Sequence, residues 1–473
     1  MIINDKWEIV CGIEVHCQII SESKIFSPSS TQYGAEANSH VSFIDAGMPG
    51  MLPTLNAKCV EQAVKTGLGL NAKINLYSEF ARKNYFYADL PQGYQISQFK
   101  FPIVGEGSLD IGTKKIRIER LHIEQDAGKS IHDISPDKSY IDLNRAGVGL
   151  MEIVTHPDFS TPEEVGEFIR RLRSMLRYIE TCDGNMDEGS MRCDVNVSIR
   201  PIGSTELRTR CEMKNMNSVK FVMQAIEAEA KRQAEIYENG GTVAQETRSF
   251  DPQTQVTKAL RSKEFAHDYR YFPEPDLPPL VLTQEYVDGI KNNMPELPEA
   301  KKARFVGLGL TEYDAMVLCD DKETAKFFED AIVGSDAKKV ANWIMGDFFG
   351  FLKKDGLLLS QSPVSPKQIG ELVNLINDGV LNSKIAKEVF EIMWETSQNP
   401  SVIVEEKGLK QETNLSEIEA FIDELIANNP DNVNAYKSGR NNLLGWFVGQ
   451  TLKFSKGKAN PAIVSDLIVK KLS

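Results

Sequence analysis

The sequence predicts a mixed α+β body followed by an all-helical C-terminal part, and three observations favour this division. Up to about residue 295, short segments of alternating polar and apolar residues are separated by clusters of Gly, Pro and Asn. A proline-rich turn, YFPEPDLPPL at 271–280, closes this part. Beyond it, apolar residues recur at the spacing of amphipathic helices. The expected domains are 1–295, 296–408 and 409–473.

Two helices are predicted within the body. The first follows STPEE, where Thr161 can cap the helix, Pro162 suits its first turn and Glu164 completes a capping box. The second runs from about Ser218 to Glu238, with a glycine just beyond its end. In the C-terminal part, helices are expected at 366–379, 382–396 and 415–429, and a linker at 409–414.

The bulk composition is typical of a soluble globular protein. The 473 residues are 41% hydrophobic and 26% charged, enough for two to four domains. We expect no signal peptide and no membrane span. Seven cysteines without a C-x-x-C pair argue against a zinc ribbon and favour reduced thiols in a cytoplasm.

The charge is distributed unevenly along the chain. The net charge of −13 argues against nucleic-acid binding by the whole surface. From residue 437 to 473, however, seven Lys and Arg residues are opposed only by Asp466. A solvated helical surface and a local nucleic-acid site explain this surplus equally well.

The predicted strands carry carboxylates on their faces. In GIEVHCQI, residues 12–19, Glu14 and His16 share the face opposite the apolar residues. Glu152 lies on the otherwise apolar strand VGLMEIV, where an unpaired carboxylate is costly. Other strands contribute three more acidic residues, Glu124, Asp194 and Glu212. If these strands adjoin in one sheet, the acidic groups can converge on one face.

Such a face has two interpretations. Several carboxylates with one imidazole suit Mg²⁺ or Mn²⁺ better than structural zinc, and Mg²⁺ of this kind typically holds nucleotide phosphates. Alternatively, these are wet strand faces in a chain with 67 acidic residues. The histidines at 122, 132 and 156 are expected to be structural or exposed.

Familiar catalytic loops are absent from the sequence. QDAGKS resembles the end of a P-loop but lacks its first glycine, and no serine nucleophile elbow is present. Cys11 and Cys17 lie on the apolar face of their strand, so neither is expected to act as a nucleophile. The segment ARKNYFYADLPQGYQISQ, at 81–98, suits either recognition of a nucleotide-like substrate or an ordered loop packed under tyrosines.

Several long motifs in order resemble the GatB/GatE family, the B subunits of bacterial aspartyl/glutamyl-tRNA amidotransferases, over essentially the whole chain. The segment GRNNLLGWFVGQTLKFSKGKANP resembles the YqeY-like tail of that family. The other segments that carry the resemblance are GIEVHCQI, ARKNYFYADLPQGYQISQ, DAGKS, NRAGVGLMEIV, GNMDEGSMRCDVNVSIRP, CEMKNMNS, QETRSFD and HDYRYFPEPDLPP.

The resemblance implies a function and a fold. The body would be a glutamine synthetase-like antiparallel cradle that binds ATP, Mg²⁺ and the acceptor end of mischarged Glu-tRNA(Gln) or Asp-tRNA(Asn). It would phosphorylate the side-chain carboxylate of the attached amino acid. Ammonia from a separate amidase, which joins this chain and a third, small protein in a heterotrimer, would then displace the phosphate. The chain would thus be part of a carbon–nitrogen ligase that uses glutamine as amido donor.

The resemblance also sharpens the site prediction. Glu14, His16, Glu124 and Glu152 are the expected catalytic metal cluster, and Asp194 and Glu212 are expected at a second or adjacent metal site. Three basic residues are expected to contact the cofactor phosphates: Arg210, Lys214 and Arg270. The candidates for tRNA contact in the tail are Lys437, Arg440, Lys453, Lys456 and Lys458.

Two other functions remain open at this point. A non-catalytic tRNA-binding scaffold would keep the basic tail but would not need Glu152 on an apolar strand. A metal-dependent enzyme acting on a small-molecule carboxylate would need the acidic face but not the tail.

Overall fold

The computed structural model describes residues 2–214, 216–262, 266–409, 415–455, 459 and 461–472. The chain divides into two compact units, Met1–Pro298 and Glu299–Ser473. The first unit is mixed α and β, and the described residues of the second form helices. The predicted change from a mixed body to a helical part is confirmed. The finer division into three domains stays a prediction.

The strands of the described residues all lie in the first unit. They are β1 Ile2–Ile3, β2 Trp7–Gln18, β3 Tyr77–Ser78, β4 Ala81–Asn84, β5 Tyr94–Ser97, β6 Gly107–Asp110, β7 Lys115–Gln125, β8 Lys129–Ile131, β9 Tyr140–Asp142, β10 Gly149–Thr155, β11 Met191–Pro201, β12 Cys211–Lys214, β13 Glu246–Asp251, β14 Val256–Ser262, β15 Phe272–Pro273 and β16 Leu280–Val281.

The α-helices that lie wholly within the described part of the first unit are α1 Ala57–Gly69, α2 Pro162–Tyr178, α3 Val219–Glu238 and α4 Gln284–Asn292. The helices that follow are α5 Pro298–Gly307, α6 Glu312–Leu318, α7 Lys322–Ala331, α8 Ala337–Trp343, α9 Phe349–Asp355, α10 Pro366–Asn377, α11 Ser383–Thr396, α12 Pro400–Glu406, α13 Leu415–Ala427, α14 Pro430–Lys437, α15 Leu443–Phe454 and α16 Pro461–Leu472. A π-helical turn, Ile344–Phe348, joins α8 to α9.

One large sheet organises the first unit. Its strands run in the order β14-β13-β12-β11-β2-β10-β7-β6, with β1 paired to β2. All neighbours are antiparallel except β12 and β13, which are parallel. Because the period of a strand is two residues, this register fixes which side chains share a face.

The apolar face of the sheet packs against the helices. Cys11, Ile13, Val15 and Cys17 of β2 are at most 1% exposed and belong to one core cluster. The helices α1, α2 and α3 contribute to the same cluster, among them Phe168 of α2. The opposite, polar face of the sheet is therefore the one that remains available for chemistry.

The predicted helix starts are confirmed with one change. α2 begins after Thr161, whose Oγ1 accepts a hydrogen bond from the Glu164 amide at 3.2 Å. The Glu164 carboxylate accepts from the amide of Ser160 at 2.7 Å, so the reciprocal half of the predicted capping box is displaced by one residue. α3 likewise begins after Ser218. Of the predicted linker at 409–414, only residue 409 lies within the described residues.

The helical unit has its own apolar contacts. Phe305 and Phe328 are fully buried, with ring centroids 4.7 Å apart. A separate cluster in the last helices includes Ile422, Phe447 and Val464. Among the described residues, no helix has the length and apolar character needed to cross a membrane.

Candidate active site

Three side chains that the sequence predicts as ligands converge on the polar face of the sheet. His16, Glu124 and Glu152 each offer one ligand atom, and these atoms lie within 4.8 Å of one another. The cause is the register: β10 runs between β2 and β7, and Glu152 stands opposite His16 on one side and His122 on the other. The donor set, one imidazole and two carboxylates, fits a hard divalent cation such as Mg²⁺ or Mn²⁺.

His122 lies beside this cluster and is buried, so of the two expected environments, structural or exposed, the exposed one is wrong. Its Nε2 lies 3.1 Å from Glu152 Oε2 and 3.4 Å from Glu124 Oε2. Its Nδ1 is buried and has no hydrogen-bond partner among the described residues. The alternating pattern of LHIEQD placed His122 and Glu124 on one face, so the signal for this residue was present in the sequence.

The buried charges of the cluster stabilise one another. Burial alone would raise the pKa of Glu152, but the imidazoles of His122 and His16 hold it well below its usual range. Burial alone would lower the pKa of His122, but Glu152 and Glu124 raise it to about 9. Burial alone would also lower the pKa of His16, but the carboxylates of Glu152, Asp194 and Glu124 together raise it. Carboxylate and imidazole therefore hold each other in their charged forms, and the His16 imidazole must lose its proton before its nitrogen can bind a cation.

Two residues outside the large sheet complete this cluster. Ser97 Oγ on β5 donates to Glu124 Oε2 at 2.8 Å and fixes that carboxylate. Lys83 on β4 has its Nζ 5.1 Å from the centroid of the Tyr269 ring. Burial would lower the pKa of Lys83, but Glu124 and neighbouring groups raise it above its usual range. Lys83 therefore carries a positive charge into the site.

The other predicted acidic residues form a second group beside the cluster. Lys214 Nζ lies 2.5 Å from Asp194 Oδ2 and 3.4 Å from Glu212 Oε1. Glu14 stands opposite Asp194, but its Oε1 accepts a hydrogen bond from Asn196 Nδ2 at 2.9 Å. The structure thus places Glu14 with this second group rather than in the compact His16 cluster, where the sequence predicted it.

Two clefts open on this polar face, at opposite ends of the strands. The first has a volume of about 810 Å³, and its walls include His16, Lys83, Glu124, Asp194 and Lys214. The second has a volume of about 620 Å³, and its walls include Glu14, Asn196, Arg120, Arg208 and Arg210. On β2 and β11, neighbouring residues of the polar face line different clefts: His16 and Asp194 line the first, and Glu14 and Asn196 line the second. The acidic groups stand where the two clefts approach each other.

The remaining predicted residues have mixed outcomes. Arg270 is exposed in a turn beside Asn84 and, among the described residues, lines neither cleft. Three tail candidates, Lys437, Arg440 and Lys453, are exposed. The other two, Lys456 and Lys458, lie outside the described residues.

Both units of the chain match models of known protein families. Residues 9–288 match the GatB/GatE catalytic domain, and residues 326–472 match a family model described as GatB domain. The chain belongs to the GatB/GatE family. Members of this family are components of carbon–nitrogen ligases that use glutamine as amido-nitrogen donor, and this chain is an enzyme component of that class.

The curated relatives of this GatB/GatE chain are similar over almost their full length. A protein of Paramagnetospirillum magneticum is 60% identical over 98% of this chain and 97% of its own length. A protein of Rhodospirillum rubrum is 59% identical, with the same coverage. A protein of Gluconobacter oxydans is 58% identical over 99% of this chain and 98% of its own. All three are named as the B subunit of an aspartyl/glutamyl-tRNA(Asn/Gln) amidotransferase.

Proposed function

We propose that this chain activates the side-chain carboxylate of an amino acid mischarged onto tRNA, as Glu-tRNA(Gln) or Asp-tRNA(Asn), by phosphorylating it with ATP. The observation that carries this proposal is the cluster of His16, Glu124 and Glu152 at the meeting point of two clefts. A scaffold that only bound tRNA would have no use for buried carboxylates held in their charged form.

The chemistry requires such a cluster. A carboxylate is a poor electrophile because its oxygen is a poor leaving group, and phosphorylation turns that oxygen into a good one. The step brings an anionic nucleophile to an anionic triphosphate, so the charge between them must be neutralised. His16, Glu124 and Glu152 would hold Mg²⁺, which supplies that neutralisation when bound. Lys83 adds a fixed positive charge beside the same carboxylates.

The two clefts suit two different substrates. The second cleft contains three arginines, and two of them, Arg208 and Arg210, make no ion pair with a described residue. Guanidinium groups without a carboxylate partner suit phosphate oxygens, so we assign ATP to this cleft. The first, larger cleft contains Lys83 and Tyr85 and would take the aminoacyl end of the tRNA. The side-chain carboxylate of the attached amino acid, which accepts the phosphoryl group, would then meet ATP at the acidic groups.

Ammonia would come from a partner. The sequence offers no amidase motif, and the candidate nucleophiles Cys11 and Cys17 are fully buried. Burial raises the pKa of Cys11, and the thiol of Cys182 together with burial raises that of Cys17, so both stay protonated and unreactive. We therefore propose assembly with a separate amidase and a third, small protein, as a heterotrimer in the bacterial cytoplasm.

The proposal also covers the fold of the first unit and the role of the basic tail. An antiparallel sheet with an acidic polar face suits a glutamine synthetase-like cradle, which makes a similar acyl phosphate. The exposed Lys437, Arg440 and Lys453 of the tail would contact the tRNA backbone away from its acceptor end.

The experiment uses the assembled complex with ATP, Mg²⁺ and Glu-tRNA(Gln), without an ammonia donor, so that the phosphorylated intermediate accumulates. Glu152→Gln should abolish the intermediate while the complex still assembles. The matched control is Glu167→Gln, which removes an acidic residue from the outer face of α2, where it pairs with two arginines. Full phosphorylation by the Glu152→Gln complex would refute the site assignment.

A second measurement separates this proposal from the scaffold function. If the chain only binds tRNA, no intermediate forms with the unsubstituted complex, and affinity for tRNA does not change between Glu152→Gln and the original chain. A substrate that is a free carboxylic acid would instead be phosphorylated equally well with the residues from 409 onward deleted.

A further inference from the structure

An arginine lies directly beside the metal-ligand cluster on the polar face of the sheet. Arg192 of β11 stands opposite His16 of β2, which in turn stands opposite Glu152 of β10. The neighbours of Arg192 along β11, Met191 and Cys193, belong to the apolar core, so the arginine side chain is on the other face. It lines the first cleft together with His16. Arg192 therefore continues the row of cross-strand neighbours that holds the cluster.

The guanidinium of Arg192 is held in place by a buried carboxylate. Its Nη2 donates to Asp126 Oδ2 at 2.9 Å. Asp126 is 4% exposed, and the same oxygen accepts a hydrogen bond from Gln18 Nε2 at 3.2 Å. Asp126 Oδ1 accepts from the Ala127 amide at 3.0 Å, so both oxygens of this carboxylate are fixed. A guanidinium anchored in this way loses less side-chain entropy when it binds a ligand.

Most donors of this guanidinium remain available to a ligand. A guanidinium carries several N–H groups in a rigid fork, and among the described residues only Asp126 accepts a hydrogen bond from Arg192. The side chain is 35% exposed, in a cleft of about 810 Å³. Arg145 in the same cleft differs, because its Nε and Nη2 donate to the backbone carbonyls of Ala127 and Gly128 at 2.9 and 2.6 Å. Arg192 is thus better placed than Arg145 to bind a second anion.

The position of Arg192 favours a carboxylate as that anion. In the proposed function, the amino acid attached to the tRNA enters through the first cleft and brings its carboxylate to the cluster. A fork of N–H donors matches the two oxygens of a carboxylate. The phosphates of the tRNA backbone are separated from this carboxylate by the aminoacyl ester and the terminal ribose, so they would lie farther from the cluster. The product amide is uncharged, and its nitrogen is a donor with which a guanidinium cannot pair.

We propose that Arg192 binds the side-chain carboxylate of the amino acid attached to the tRNA and thereby distinguishes the substrate from the amidated product. This inference rests on the proposed function, because it takes the first cleft as the site of the aminoacyl end. Arg192 holds the carboxylate at the edge of the cluster. Amidation removes the charge and with it the ion pair, which favours release of the product. Asp126 acts through Arg192 and is a positioning residue.

The test compares three forms of one tRNA on the assembled complex, in Mg²⁺ and without ATP. The forms are Glu-tRNA(Gln), Gln-tRNA(Gln) and uncharged tRNA(Gln), and their Kd values are measured by filter binding. The unsubstituted complex should bind Glu-tRNA(Gln) about tenfold more tightly than the other two, the gain expected for hydrogen bonds to a charged group. Arg192→Gln should lose most of this preference and bind the other two forms with unchanged affinity.

Two further variants complete the comparison. Arg192→Lys should keep only part of the preference, because it keeps the charge but not the fork. Arg170→Gln is the matched control, since it removes an exposed arginine of α2 that pairs with Glu167, and it should change none of the three affinities. An unchanged affinity for uncharged tRNA(Gln) shows that each variant is folded.

The positioning role of Asp126 has its own readout, the ratio of the Kd values for Gln-tRNA(Gln) and Glu-tRNA(Gln). Asp126→Ala releases the guanidinium and should lower this ratio several-fold. Asp126→Asn keeps an oxygen that can accept from Arg192, so it should retain more of the preference. A thermal stability that falls in both variants while the ratio stays unchanged would show that Asp126 only supports the fold.

The outcomes separate this inference from the function on which it rests. If Arg192→Gln weakens all three forms equally, Arg192 does not bind the carboxylate, and the contact is with the tRNA backbone or within the fold. If the unsubstituted complex binds Glu-tRNA(Gln) and Gln-tRNA(Gln) equally well, the inference is wrong, whereas formation of the phosphorylated intermediate with ATP still supports the proposed function. If no intermediate forms with ATP, the proposed function fails, and a preference lost in Arg192→Gln still supports binding of the carboxylate.

Discussion

Binding of Mg²⁺ at the cluster should be detectable as thermal stabilisation that depends on Glu152. A ligand that binds only the folded state stabilises it by about 2.7 kcal/mol when its free concentration is 100 times its Kd. For a unit of about 300 residues, with an unfolding entropy of about 2.1 cal/mol/K per residue, that corresponds to a rise in Tm of about 4 °C. Because Glu152 contributes one of the two carboxylates of the cluster, Glu152→Gln should reduce this rise to about 1 °C or less.

Glu152→Gln should also lower the stability of the folded chain in the absence of metal. Glu152 Oε2 lies 3.4 Å from His16 Nε2 and 3.1 Å from His122 Nε2, and hydrogen bonds to charged groups contribute about 1.5–3 kcal/mol. The variant should therefore melt below the original chain in EDTA, and the difference between them should widen when Mg²⁺ is added.

The assay is a thermal scan of the full-length chain with EDTA or with increasing Mg²⁺, for the original chain, Glu152→Gln and Glu167→Gln. The reasoning is refuted if Mg²⁺ raises the Tm of the Glu152→Gln chain as much as that of the original chain. A Mg²⁺ response lost equally in Glu167→Gln would show that the effect comes from net charge and not from the cluster.

Three further predictions concern the rest of the chain. Glu229 is fully buried, and burial alone would raise its pKa, but its bonds to Arg232, Gln233 and Thr257 lower it. The stabilisation from this carboxylate is therefore present above pH 4.5 and is lost as the pH falls through the lowered pKa. Glu229→Gln should cost about 3 kcal/mol at pH 7 in urea unfolding, and the difference should shrink below pH 4.5. Replacing Lys437 and Arg440 by Gln should reduce the salt dependence of tRNA binding, the slope of log Kd against log salt, by about 2. Phe328→Ala should cost the helical unit about 3–5 kcal/mol, measured by urea unfolding.

Each of these has an outcome that contradicts it. A pH-independent cost for Glu229→Gln would mean that the amide loses packing and not charge. An unchanged salt slope in the tail variant would place the tRNA contacts elsewhere. A cost below about 1 kcal/mol for Phe328→Ala would show that the helices repack around the missing ring.

Much of the site could be predicted from local patterns. The period of two residues put Glu14 and His16 on one face of β2, and the apolar surroundings of Glu152 indicated that this carboxylate needed a partner. The sequence did not identify His122 as the partner of Glu152, because the pairing of β7 with β10 joins segments about thirty residues apart. Histidine is also common in structural roles.

The sequence predicted which face of a strand a side chain lies on, but not which cleft the side chain reaches at its position along the strand. Glu14 and His16 share a face but are two residues apart, about 7 Å along the strand, and this separation puts Glu14 in the second cleft. The contacts of Arg208 with Trp7 and Tyr237 bring together the start of β2 and the end of α3, more than 200 residues apart along the chain, and no local pattern contains them.

The opening of the two clefts at opposite ends of the strands has a kinetic consequence. If, as proposed, the nucleotide enters from one end and the aminoacyl end of the tRNA from the other, neither substrate would block the path of the other. Substrates could then bind in either order, and spent ADP could leave and be replaced while the RNA stays bound. A mischarged tRNA would thus remain committed to correction through more than one nucleotide exchange.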